Sequence, residues 1–155
     1  MGNISSARAE LSEAEITSLI HMREEEKLAR DVYLELYDTW GQKIFSNIAS
    51  SEQTHTDAVK TLLETYNIAD PVIKDERGVF TNSELQKLYD SLVEEGKKSL
   101  LDGLIVGATI EDLDIKDIQD FRVSIENEDI LLVYENLERG SRNHLRSFIK
   151  NISRL

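Results

Sequence analysis

Glu52 and His55 stand three residues apart, a spacing that puts a carboxylate and an imidazole on one face of a helix. Carboxylate oxygen and imidazole nitrogen together suit hard or borderline metal ions. The spacing alone is common, but its register is not. The pair lies on the stripe Phe45, Ile48, Glu52, His55, Val59, Leu62 and Tyr66, whose steps of three and four mark a helix face that packs on partners. Three further stripes repeat the pattern. One runs Leu19, Met22, Glu26, Ala29, Tyr33 and Leu36; another runs Leu101, Leu104, Ala108, Glu111, Ile115 and Ile118; the last runs Ile130, Tyr134, Leu137, Ser141, His144 and Phe148. A carboxylate on such a face is costly unless it is paired or holds a metal. Four segments that each place such groups near their midpoints point to one shared metal site of Glu26, Glu52, His55, Glu111 and His144, with Asp114 offering a further carboxylate three residues after Glu111.

Each of these residues has a plainer reading. Glu26 lies in the run Glu24-Glu25-Glu26-Lys27, which reads as a solvated face, and for Glu24 that reading is adopted. Arg30, four residues beyond Glu26, could neutralise it as an i,i+4 pair. A lone histidine on a packing face is more often a hydrogen-bonded core residue than a ligand. His21 points away from the stripe of its segment and reads as a surface residue. Tyr33 shares the stripe of Glu26 and reads as core, with electron relay as the alternative.

The elements that must position these groups are legible from caps and breakers. Ser12 with Glu15 three residues on forms a capping box, and the first long helix runs from there to about Thr39, ended by Gly41. The second runs from about Lys43 to Asn67, and Pro71 prevents its continuation. Residues 70–80 read as a connection turning at Gly78. Thr81 or Asn82 caps a shorter helix to about Glu95, closed by Gly96. Ser99 caps the third long helix, which runs to about Phe121 and could bend in its Asp-rich stretch from Asp112 to Asp120; the fourth follows residues 124–127 and runs nearly to the end. The fold expected is all-α: an antiparallel four-helix bundle with one extra short helix between the second and third long helices. A single domain spans 1–155, with residues 1–11 expected to form a flexible N-terminal segment.

Composition narrows the function classes. A formal net charge of -12 argues against a nucleic-acid backbone as partner and favours attraction of cations. The absence of cysteine removes thiolate zinc sites, iron–sulfur clusters and cysteine nucleophiles, so a metal must be held by oxygen and imidazole. No segment reads as a membrane span. The sequence Gly2 to Ser6 loosely fits a myristoylation pattern too short to carry weight. Localisation is expected to be cytoplasmic, or exported if a leader has been removed.

The ligand set resembles the ferritin-like di-iron carboxylate superfamily, in which two helices give a Glu and two give Glu-x-x-His. Within it, Glu26-Lys27-Leu28-Ala29-Arg30-Asp31-Val32-Tyr33 is similar to the first-helix motif of the rubrerythrins, and Glu111-x-x-Asp114 resembles their third-helix carboxylate pair. The strings Glu24–Tyr33 and Arg139–His144 also resemble those of an uncharacterised prokaryotic family of stand-alone ferritin-like domains, and this likeness covers nearly the whole chain. It implies a di-iron or di-manganese protein, an oxidoreductase acting on dioxygen or peroxide, or one oxidising iron. It also implies an external electron donor, since no cysteine-ligated iron domain is present, and a homodimer as a candidate assembly. The chain departs from the pattern at Ser141, where the fourth helix would carry a Glu. Asp114, Glu138 or water could fill that gap, or only one ion could bind tightly. The alternative is a non-catalytic bundle, a metal-binding or interaction module whose polar core is a structural network, for example through Arg30 and Glu26.

Overall fold

Among the described residues, four of the five helices begin at a residue whose side chain takes up amides that the helix leaves open. Ser12 and Glu15 form both bonds of a capping box, Asn82 accepts from the amides of Glu84 and Leu85, Ser99 from that of Asp102, and Asn127 from that of Ile130. The resulting elements in this computed structural model, which describes residues 11–155, are α1 (Glu13–Trp40), α2 (Lys43–Thr65), α3 (Ser83–Gly96), α4 (Leu100–Arg122) and α5 (Glu128–Ser153). No strand occurs among the described residues. The architecture is the expected one, four long helices and an extra short one. Helix α4 is continuous through its Asp-rich stretch.

Gly41 closes α1 in the left-handed conformation, with φ 67°, and its amide donates to the carbonyl of Tyr37. The chain reverses there, so α2 returns along α1. Cross-contacts order the rest. Tyr66, just past α2, donates to Asp129 at the start of α5, and Tyr33 late in α1 donates to the carbonyl of Gly107 early in α4. Helices α2 and α4 thus each run antiparallel to both α1 and α5. Of the expected flexible segment only Leu11 lies within the described residues, and it is buried against the apolar core, so the frayed reading does not extend to it. The remainder, with the loose myristoylation match, falls outside them.

The apolar core is in two parts. One gathers Leu28, Tyr33, Leu36, Phe45, Ile48, Leu104, Ile110 and Phe148; the other gathers Leu19, Met22, Val59, Leu62, Ile118, Ile130, Tyr134 and Leu137. On each long helix the gap between the two falls at the polar positions of its stripe: Glu26, then Glu52 and His55, then Glu111 and Asp114, then Ser141 and His144. The packing face is therefore interrupted at one level of the bundle, with apolar layers above and below. The stripe assigned to α4 begins one turn too early: Leu101 is exposed, and the first of its residues to be buried is Leu104.

Candidate metal centre

The residues at that level converge. Glu26, Glu52, Glu111, Asp114 and Ser141 are fully buried, and the side chains of His55 and His144 are 12% and 11% exposed. Nδ1 of His55 lies 3.1 Å from Glu26 Oε2 and 3.4 Å from Glu52 Oε2. Nδ1 of His144 lies 2.8 Å from Glu52 Oε1 and 3.4 Å from Glu111 Oε1. Two triads result, Glu26–Glu52–His55 and Glu52–Glu111–His144, each with ligand atoms within 4.8 Å of one another. Glu52 belongs to both, giving one oxygen to each imidazole. The two rings stack at 5.7 Å between centroids and 26° between planes.

Orientation comes from the surroundings. Nε2 of His144 meets Ser51 Oγ at 3.0 Å, which fixes the far edge of that ring. The Tyr33 hydroxyl donates to Glu111 Oε2 at 2.5 Å and leaves Oε1 turned toward His144. Gly140 makes room for His55: a Cβ there would meet the ring at 2.6 Å.

Polar groups this deep are normally satisfied, and these are not. Glu26 Oε1, both oxygens of Glu52, Glu111 Oε1, both oxygens of Asp114, Ser141 Oγ and His144 Nδ1 have no aligned hydrogen-bond partner. The 2.8 Å approach of His144 to Glu52 is thus close without being a directed hydrogen bond. Apart from the 3.1 Å hydrogen bond between His55 and Glu26, the ligand atoms lie close together without being directed at one another. The donor set, oxygen with imidazole, and the orphaned atoms fit a pair of divalent ions.

The charges strain against burial. Desolvation, with the charge of Glu52 next, pushes Glu26 up to about 8. Desolvation, with Glu26 and Glu25 next, holds Asp114 well above the usual carboxylate range. At Glu52 burial and the charge of Glu111 act upward, but the contacts with His144 and His55 prevail and its pKa is lowered. Burial alone would lower both histidines. Glu26 and Glu52 raise His55 to about 11, and Glu111 and Glu52 raise His144 to about 9. Without a cation, protons stand in for positive charge at this level.

Comparison with known proteins matches residues 15–154 to a domain described as an uncharacterized protein domain, DUF2202. The chain belongs to the DUF2202 family. It is 60% identical over 143 residues to the uncharacterized protein MJ0754 of Methanocaldococcus jannaschii, a stretch that is 92% of this chain and 77% of that protein. It is also similar to the crystal structure of the hypothetical protein MJ0754 from Methanococcus jannaschii, with a TM-score of 0.92 over 93% of this chain and 82% of that one. The matched residues include every member of the two triads.

Several readings of individual side chains need correction. Glu24 is buried, not solvated: its carboxylate accepts from the amides of Thr81 and Asn82 at 2.7 and 2.9 Å, where the connection enters α3. Arg30 does not pair with Glu26. It binds Asp31, Asp75 and Gln53. Asp31 in turn accepts from Lys27, Arg30 and the Gly78 amide. Glu138 is held by Arg122 and Arg142 and does not fill the space left by Ser141. His21 is not a free surface residue. Its Nε2 lies 2.5 Å from the buried Glu25 and 3.6 Å from Asp117. Glu25, one residue before Glu26, is a further buried carboxylate, signalled in the sequence by its i,i+4 spacing from His21.

Proposed function

We propose that this protein is a ferritin-like metalloprotein that holds two iron or manganese ions at Glu26, Glu52, His55, Glu111 and His144, with Asp114 alongside, and that it carries out oxidation–reduction there. The observation that supports this most directly is Glu52: a fully buried carboxylate, set between two imidazoles, whose oxygens both lack an aligned hydrogen bond. Glu26, Glu52 and His55 would hold one ion, and Glu52, Glu111 and His144 the other. Bound iron or manganese would supply single-electron changes of oxidation state, with dioxygen or peroxide as oxidant and ferrous iron or an external donor as reductant.

The chain's own contribution is positioning and insulation. The apolar layers on either side keep bulk water from the carboxylates and strengthen every electrostatic contact between them. Ser51 and Gly140 set the ring orientations, and Tyr33 holds a proton at Glu111 Oε2. Tyr33 remains neutral, because burial and the neighbouring Glu111 push its pKa well above the ordinary value.

A second reading, a metal-free structural network, draws on the imidazole–carboxylate approaches themselves. Ser141 separates the two. It is fully buried on α5, one helical turn before His144, and its hydroxyl has no partner. Under the metal reading Ser141→Glu supplies a carboxylate to the weaker position and raises the melting temperature with anaerobic Fe(II) or Mn(II) present. In a structural network the same change buries an unpaired carboxylate and lowers the melting temperature with or without metal. Loss in both conditions, together with a wild-type melting curve that excess metal does not move, would overturn the metal reading.

A further inference from the structure

The core triads share a device: one imidazole nitrogen faces two carboxylates from different helices, more acceptors than a single ring proton serves well. The same device occurs a third time. Nε2 of His21 on α1 faces Glu25 Oε2 at 2.5 Å and, across the helix interface, Asp117 Oδ2 of α4 at 3.6 Å. These three residues bring ligand atoms within 4.8 Å of one another, as the core triads do. An i,i+4 pair on α1 thus meets a carboxylate of α4.

An independent observation points inward from this cluster. Glu25 is 1% exposed, and while its Oε2 meets His21, its Oε1 has no partner. Next to it is Asp114, fully buried, with neither oxygen aligned on a donor, and the charges of Glu26, Glu25 and Glu111 all act on it. Asp114 and Asp117 are one helical turn apart on α4. The carboxylates therefore run without interruption from Asp117, whose side chain is 23% exposed, through Glu25 and Asp114 to the buried centre. A surface groove lined by Thr17, Ile20, His21 and Pro71 reaches the same histidine from outside. A pairing whose only task was to fasten α1 to α4 would have no use for an unpartnered buried oxygen on Glu25 or for a further buried carboxylate, Asp114, behind it with neither oxygen partnered.

We propose that His21, Glu25 and Asp117 form a third divalent-cation site, at the solvent edge of the bundle, joined by Asp114 to the buried centre. Imidazole with two carboxylates selects the same borderline ions as the core, Mn(II) and Fe(II) among them. The histidine must lose its proton to bind, so uptake releases a proton. Binding at the outer site stands on its own residues; its service as a station for ions passing inward rests on the metal reading of the centre.

Crystals soaked in excess Mn(II), with anomalous scattering to locate the ions, test this directly. The wild type should show manganese at His21, Asp117→Asn should lose that ion alone, and Glu52→Gln should lose the central ions while keeping the outer one. Stopped-flow loading of the centre should be slower in Asp117→Asn with the same final occupancy. Manganese in the centre and none at His21 in the wild type would overturn the third site and leave the central reading standing. Manganese at His21 and none in the centre would support the third site and overturn the central reading. Manganese at neither would overturn both. An unchanged loading rate would overturn the link through Asp114.

Discussion

Two buried polar clusters lie side by side on α1, and they are built to opposite rules. One, formed by Arg23, Glu24, Lys27, Arg30 and Asp31, closes on itself and on the connection between α2 and α3. Lys27 is 1% exposed, yet its ammonium donates to Asp31 and to the carbonyls of Glu76 and Val79, and it sits 4.3 Å above the Phe80 ring. Arg23 grips Asp70 and Thr56, and Glu24 holds two amides. The other cluster, at Glu26, Glu52, Glu111 and Asp114, leaves most of its oxygens without a donor. The first spends its charges on backbone that must be pinned. The second keeps its charges free, which is the property a ligand site requires. Burial of a charged side chain therefore says little about its role until its partners are counted.

The largest effect should come from the closed cluster. Lys27→Met removes one of the two counter-ions of Asp31, leaving Arg30, and takes away the donor to two carbonyls; it should cost about 3 kcal/mol in guanidinium unfolding, as breaking a buried ion pair does. The loss should be the same with chelator and with Mn(II). A loss that metal restores would erase the distinction between the clusters.

Glu52→Gln tests the open cluster. It should abolish the stabilisation that Mn(II) brings, about 2.7 kcal/mol at a hundredfold excess over Kd, so that its melting curves with chelator and with Mn(II) coincide. A gain with Mn(II) equal to that of the wild type would overturn Glu52 as a ligand. Gly140→Ala should be smaller, about 1–3 kcal/mol of overpacking against His55, and part of it should appear as weaker metal binding by calorimetry, since the ring must turn aside. Metal affinity identical to wild type would show that His55 is not a ligand.

The gentlest contrast is with pH. In the metal-free protein Glu26 is raised to about 8 from 4.5, so the folded state holds that proton where the unfolded chain has lost it, and stability falls as pH rises between those values. His55 and His144, raised to about 11 and about 9 from 6.5, contribute stability that is complete below pH 6.5 and lost as pH climbs through their folded values. Melting temperature in chelator should therefore decline from pH 6.5 to 9. The increment added by Mn(II) should grow over the same range, because ligands must shed protons to bind. An increment that shrinks with pH would argue against these histidines as ligands.

The open cluster was largely legible in the sequence and the closed one was not. Glu26, Glu52, His55, Glu111, Asp114 and His144 betray themselves because they interrupt apolar stripes at one level, and a helical period suffices to align them. Glu24, Lys27 and Asp31 lie off the stripe of α1, where periodicity assigns water. That rule presumes a helix with one buried face, yet every residue from Met22 to Tyr33 is buried, because the chain between α2 and α3 crosses the outer side of α1. The path of a connection is set by long-range contacts such as Arg30 with Asp75, which leave no periodic trace. The third triad fell between: His21 and Glu25 share a helix face, but their partner Asp117 is supplied by α4.

Glu52 carries one further consequence. Its two oxygens serve two different imidazoles, so in a centre holding two ions neither position can be filled without altering the other. Glu52, once engaged on the His55 side, would lose freedom of rotation that the His144 side would use. The factor by which the first changes the affinity of the second must equal the factor by which the second changes that of the first. A binding isotherm for such a pair reports macroscopic steps that belong to the carboxylate's two edges jointly, and the asymmetry introduced by Ser141 would decide only which edge is taken first.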